Sequence, residues 1–375
     1  MRHLNLFRAA GKKAGRGPTG AKGRQSAAVV HEMKKVFSPL LATLCWAPSL
    51  ALFGAEVSKE ARPVAPANSA TPSPAKAPPV EPDYQPAPTL PNVSYGPHPK
   101  QVIHFWKAES AKPAPLLLFI HGGGWQGGNR SSGLYPSLLK EMLEAGISVA
   151  SVEYRFIAEA TADGMVPPVK GPLSDAARAL QFVRSKAAEW NIDKTRIAAS
   201  GGSAGACSSL WLAFHDDLAD PKSADPVARE STRLLCAAVN GAQTTLDPAQ
   251  MVEWTPNSRY GAHAFGITGD NAKKTSAFAE FLAKRESILP WIAEYSPYAL
   301  VSAGDPPVYL FYGNPPAMGK EEKDPTHTAN FGVGLRERCK AVGVDCELVY
   351  PNAPAVVHPQ IADYLKAKLK ATPAQ

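Results

Sequence analysis

Cysteine, long unbroken apolar runs and evenly spread charge are all scarce in this 375-residue chain. With five cysteines, and no pair of Cys or His at ligand spacing, a metal centre is not expected. The apolar stretch from Val36 to Phe53 is broken by Pro39 and Pro48 and is short for a spanning helix, which argues against stable membrane insertion. The formal net charge of +7 suggests an anionic partner until its location is read. Residues 1–36 hold nine basic residues against Glu32 alone, so the remainder is close to neutral and nucleic acid is not expected as a partner. No internal repeat is present.

What is there falls into three parts. Residues 1–55 read as a basic leader: Met33-Lys34-Lys35 and the apolar run after it have the layout of a signal peptide, with Met33 the expected start and cleavage expected near Ser49-Leu50-Ala51 or Ala55. A secreted or periplasmic location follows as an expectation. Residues 56–94 read as a proline- and alanine-rich linker. Twelve prolines lie between Arg62 and Pro99, and such a composition builds no core and favours an extended polyproline II spacer. Residues 95–372 remain as one domain, long enough to bury a core.

Within that domain strands alternate with helices. Apolar runs predict strands at 102–106, 116–120, 148–153, 196–200, 235–240, 308–312 and 346–350. Ala176, Ala179, Leu180, Val183, Ala187 and Trp190 recur at helical spacing with Ser174 as cap, and 329–341 and 359–369 read as helices. Alternation of this kind implies α/β architecture with a doubly wound, mostly parallel sheet. The stretch from about 244 to 303 interrupts it and reads as a cap, its aromatic residues lining a pocket.

Two glycine motifs carry the chemistry. Gly201-Gly202-Ser203-Ala204-Gly205 joins an apolar strand to a helical run, a corner tight enough to strain the serine and push its hydroxyl out of the sheet. Upstream, a continuous apolar strand runs into His121-Gly122-Gly123-Gly124-Trp125, whose glycines let main-chain N–H groups converge on one point. Donors at Gly123, Gly124 and Ala204 would there meet the oxyanion of an acyl-transfer reaction. Downstream, the strand at 308–312 precedes a loop with Asp324, and the strand at 346–350 precedes a loop with His358.

The order of glycine loop, serine, aspartate and histidine, each after a strand, resembles an α/β-hydrolase, in particular the esterases with a His-Gly-Gly-Gly-Trp loop, such as hormone-sensitive-lipase-like, feruloyl and acetyl-xylan esterases. The resemblance covers roughly residues 95 to 370. It implies the α/β-hydrolase fold with a small cap inserted after the sixth strand, no cofactor, and a serine hydrolase of the carboxylesterase class. Its site residues would be Ser203 as nucleophile, His358 as base and Asp324 as acid, with Asp247 the alternative acid. Asp324 stands further past the strand-ending Gly313 than the family pattern places its aspartate, which looks like an insertion through Met318, Gly319 and Lys320. His327 is assigned only to the acid loop, and Asp175 to the stabilisation of a helix end. Trp125, Trp254 and Tyr260 are expected at the substrate pocket. The expected partner is a small-molecule or polysaccharide ester, acetyl or feruloyl. An arylformamidase-like amide hydrolase and a non-catalytic binding protein on a hydrolase scaffold are the alternatives. Cys207 and Cys236 read as buried thiols, whereas Cys339 and Cys346 flank a short connection that export would permit to oxidise.

Overall fold

The computed structural model describes residues 86–270, 272 and 275–370. The leader, and the expected linker as far as residue 85, lie outside the described residues. In chain order the elements are β1 (Leu90–Ser94), β2 (Val102–Trp106), β3 (Ala114–Ile120), α1 (Pro136–Glu144), β4 (Ser148–Val152), α2 (Ile157–Ala162), α3 (Lys170–Ser185), α4 (Ala187–Trp190), β5 (Ile192–Gly202), α5 (Ala204–Phe214) and β6 (Cys236–Asn240). There follow α6 (Pro248–Trp254), α7 (Ala277–Ala283), α8 (Leu289–Tyr295), α9 (Pro297–Leu300), β7 (Val308–Phe311), α10 (Asn330–Val342), β8 (Cys346–Val349) and α11 (Ile361–Lys370).

Among the described residues the strands form one eight-stranded sheet in the order β1-β2-β4-β3-β5-β6-β7-β8. β1, β2 and β4 pair antiparallel, and every pair from β4 through β3 to β8 is parallel. The period-2 alternation of side chains explains why β3 is apolar throughout: both of its faces are covered. Leu116, Leu118 and Ile120 join the cluster that holds Leu180 of α3 and Leu210 of α5. Leu117 and Phe119 join the opposite cluster, with Leu139 of α1 and Leu365 of α11. Each such burial stabilises the fold by roughly 1.5–3 kcal/mol relative to exposure.

Every strand expected from the sequence is present, together with one more. Leu90–Ser94 lies where a linker was expected, yet it forms the antiparallel edge strand β1. Leu90 and Val93 are an odd number apart and should face opposite ways. A register shift between them, with Asn92 at φ 55°, brings both onto the core. Pro91 is tolerated because an edge strand leaves one row of N–H groups unpaired. The stretch between β6 and β7 carries α6 to α9 and two short 3-10 turns, Ala262–Phe265 and Arg285–Ile288, as the expected interruption of the alternation. The four described cysteines are free; Cys339 and Cys346 are hydrogen-bonded neighbours and not a disulfide.

Candidate active site

The chain reverses at Ser203 between β5 and α5, and the backbone there is strained. Ser203 sits at φ 54°, ψ −121°, a left-handed conformation that costs of order 1–3 kcal/mol for a side chain other than glycine. The neighbours must be glycine for a separate reason. A Cβ on Gly205 would lie 2.0 Å from the Ile120 carbonyl oxygen, and one on Gly201 2.3 Å from the same atom. The elbow therefore packs directly against the end of β3, where the glycine loop begins.

That loop is held by named contacts. Gly123 and Gly124 take φ values of +102° and +63°. Gly122 and Gly123 line a cavity of about 440 Å³ together with Ser203, Asn240, Tyr135 and His327. Gly124 faces the ring of His263, and Ala204 is fully buried as the first residue of α5. Trp125, expected at the substrate pocket, is completely buried instead. Its indole Nε1–H donates to Ser208 Oγ (3.0 Å), and that hydroxyl donates to the Ala204 carbonyl (2.9 Å), so Trp125 ties the glycine loop to α5.

The other two expected pocket residues belong to the core as well. Trp254 packs edge-on against Tyr298 and Phe331 and fills the space over Gly334. Tyr260 stands edge-on to His263 and beside Trp125, away from the cavity lining. The walls are supplied instead by Tyr135 and Leu138 at α1 and by Ile361 at the start of α11. A second cavity of about 200 Å³ shares Tyr135, Leu138, Asn240 and Ile361 with the first and extends toward Gln360 and Glu141.

The base is where the structure departs most from the sequence reading. Ser203 Oγ lies 3.0 Å from Nε2 of His327, whose Nδ1 lies 2.8 Å from Oδ2 of Asp324. His358 does not take this position. Its Nδ1 is 2.7 Å from Glu347 Oε2, its backbone N–H donates to Glu347 Oε1, and its carbonyl accepts from Tyr309 Oη, which hold it to β8 and β7. Asp324 is where the sequence put it, although its partner is three residues away and not in the last loop. The local turn explains the reach: Oδ1 of Asp324 accepts from the N–H groups of Thr326 (3.1 Å) and His327 (3.2 Å), folding the chain back so that the imidazole meets the other carboxylate oxygen. Burial would raise the Asp324 carboxyl, but hydrogen bonds and charge from His327 outweigh it and hold it below the usual range.

The remaining candidates are occupied elsewhere. Asp247 caps α6 through Ala249 N–H and pairs at 2.7 Å through each oxygen with Arg285. Asp175 is not at a helix end; it is buried within α3, clamped by Arg155 at 2.6 and 3.0 Å and by Gln101 at 2.7 Å. No group of three or more His, Cys, Asp or Glu side chains among the described residues is arranged to hold a metal ion. No helix among them is long and apolar enough to cross a membrane.

Comparison with known proteins bears on the same region. The family model described as BD-FAE matches residues 103–318, which takes in the glycine loop and the elbow and stops short of Asp324 and His327. Gut esterase 1 of Caenorhabditis elegans is 36% identical over 117 residues, 29% of this chain and 20% of that one. Esterase LipQ of Mycobacterium tuberculosis is 26% identical over 273 residues, 70% of this chain and 56% of that one. The chain thus spans well under two thirds of either relative. A solved structure titled as a truncated carbohydrate esterase from gut microbiota superposes with a TM-score of 0.52 at 18% identity, covering 70% of this chain and 86% of that one. At that identity it bears on the fold, and the fold is that of an α/β-hydrolase.

Proposed function

The chain belongs to the BD-FAE family, and from that premise we propose that it is a serine-dependent carboxylic ester hydrolase acting through an acyl-enzyme. The observation that carries this reading is the strained Ser203 whose hydroxyl oxygen lies 3.0 Å from a ring nitrogen of His327, at the wall of a cavity shared with the glycine loop. Ser203 Oγ attacks the ester carbonyl carbon while its proton passes to His327 Nε2, and Asp324 holds the Nδ1–H and the charge that develops on the ring. The carbonyl oxygen becomes the oxyanion and is met by main-chain N–H groups, for which Gly123, Gly124 and Ala204 are the candidates. His327 returns the proton to the departing alcohol, and water repeats the sequence to release the acid. No cofactor enters these steps.

For the substrate we favour an acetyl- or feruloyl-type ester on a small alcohol or a polysaccharide. The two neighbouring cavities, which share Tyr135, Leu138 and Ile361 in their walls, support room for a group larger than acetate on one side of the bond. Export from the cell, read from the leader, belongs to the same proposal.

The test is labelling with a fluorophosphonate, which reacts only with an activated serine, beside hydrolysis of p-nitrophenyl acetate, acetyl-xylan, methyl ferulate and N-formylkynurenine. Labelling abolished by Ser203→Ala, with ester turnover above formamide turnover, is the expected result. An unlabelled, inactive chain would leave a non-catalytic scaffold, and preference for the formamide would replace the ester by an amide.

A further inference from the structure

Beneath the glycine loop lies a buried carboxylate–imidazole contact that the steps above do not use. Glu153, one residue past β4, and His121, one residue past β3, are 4% and 0% exposed. Oε1 of Glu153 is 3.4 Å from Nε2 of His121. The other carboxylate oxygen accepts from the Arg130 backbone N–H at 3.1 Å, and Lys100 Nζ stands 3.6 Å from the pair's side of the carboxylate. Burial alone would raise this carboxyl, yet His121, Lys100 and the Arg130 N–H hold it below the usual range, so it is an anion where the loop is built.

On its far side the His121 ring meets the loop itself. Nδ1 lies 2.7 Å from the Gly122 carbonyl oxygen, and since a carbonyl only accepts, that nitrogen carries the hydrogen. Tyr154 Oη donates to the same oxygen at 3.2 Å and to the His121 carbonyl at 2.8 Å, with its ring stacked on the imidazole at 4.2 Å. A Cβ on Gly128 would come within 2.7 Å of the His121 ring, so the space is closed from that side too. The peptide unit is planar, and fixing the Gly122 oxygen fixes the direction of the Gly123 N–H at the other end of the same plane.

We propose that Glu153 is a positioning residue for the oxyanion cradle, acting through the His121 ring on the Gly122–Gly123 peptide. The carboxylate clamps the ring from one side, the ring clamps the carbonyl, and the amide across the plane is aimed at the cavity. The inference rests on the esterase reading, and it adds a charged group to that chemistry which touches no reacting atom.

The experiment compares the full chain with its Glu153→Gln variant, which keeps the shape and removes the charge. On p-nitrophenyl acetate kcat falls about tenfold with KM unchanged, a fraction of the ~10²–10³ lost when such a donor is deleted outright. Affinity for an aliphatic trifluoromethyl ketone falls by the same factor. That inhibitor forms a bond from Ser203 Oγ to its carbonyl carbon, passes the serine proton to His327 and leaves its oxygen as an anion in the cradle. A kcat and an inhibitor affinity equal to wild type, or a raised KM with kcat intact, would overturn the proposal. Should Glu153→Gln not fold, Tyr154→Phe strips a donor from the same carbonyl, and parallel losses or their absence decide the matter in the same way. Wild type that resists fluorophosphonate sinks the esterase reading itself, whereas wild type that is labelled beside a fully active Glu153→Gln sinks this inference alone.

Discussion

A serine hydroxyl is a weak nucleophile near neutral pH, so the residues around Ser203 divide into those it needs and those it does not. On the proposed mechanism His327→Ala and Ser203→Ala each lower kcat by about 10⁴–10⁶, because the members of such a triad act as a unit. His358→Ala, which loses the side-chain contacts to Glu347 and the Tyr364 ring, retains turnover near wild type in the same p-nitrophenyl ester assay. The reverse ranking would restore the base to the last loop. Asp324→Asn reduces kcat by up to about 10⁴ through loss of imidazole orientation. The structure brings Ser203 and Asp324 to one place, as the sequence reading put them, because a tight glycine corner and a strand-following loop are local signals. The histidine was not legible in this way, since both His327 and His358 follow strands and the order of motifs favours the later one. The signal that distinguishes them is the spacing Asp324-x-x-His327, where a carboxylate that turns the chain back also reaches the ring. Spacing names that pair only once the turn is seen.

At the scale of elements, β3 and β5 were readable from their apolar runs, and a mostly parallel sheet from the alternation with helices, whereas the placement of β3 beside β5 comes from the structure. The roles of the aromatic residues were not readable. Trp125, Trp254 and Tyr260 look alike to any pattern that counts aromatics, yet tertiary packing makes all three structural. The exposed aromatic at the cavity is Tyr135, just before α1 and 63% exposed. Tyr135→Ala is expected to raise KM for methyl ferulate and for acetyl-xylan by about three- to tenfold, the loss of a ring-stacking contact worth ~0.5–1.5 kcal/mol. KM for p-nitrophenyl acetate compared in parallel shows whether the effect follows the size of the substrate; an equal change for all three would locate Tyr135 in the architecture of the loop instead. Close packing of elbow on strand gives a second test. Gly205→Ala forces a Cβ against two main-chain carbonyls, and a loss of about 1–3 kcal/mol is expected in urea unfolding followed by circular dichroism.

Across the whole molecule, pH reads out which buried groups the fold has shifted. Burial pushes His263, between Trp125 and Tyr260, below its ordinary value, and a hydrogen bond to the Gly124 backbone only partly offsets this. A base with a depressed folded pKa contributes stability that is present above its unfolded value, near 6.5, and is lost as pH falls through the folded value, because the unfolded chain binds the proton first. Glu153 is also depressed, and its contribution is lost lower, as pH falls below the ordinary glutamate value of about 4.3. At the alkaline end Tyr95, Tyr154 and Tyr312 are raised by burial, so their contribution is intact below about 10 and declines above it. Burial also raises the thiols of Cys207 and Cys236, whose contribution declines above the ordinary cysteine value of about 8.5, so stability is expected to be flat only between roughly pH 7 and 8.5, and to fall in two steps on the acid side. The step that begins near 6.5 belongs to His263 and has a slope of at most about 1.4 kcal/mol per pH unit. Urea midpoints measured from pH 4 to 8 on wild type and His263→Gln separate the steps: the variant loses the upper one and keeps the lower. An upper step that survives in His263→Gln would assign it to another histidine and overturn the reading that burial beside Gly124 keeps the His263 imidazole neutral.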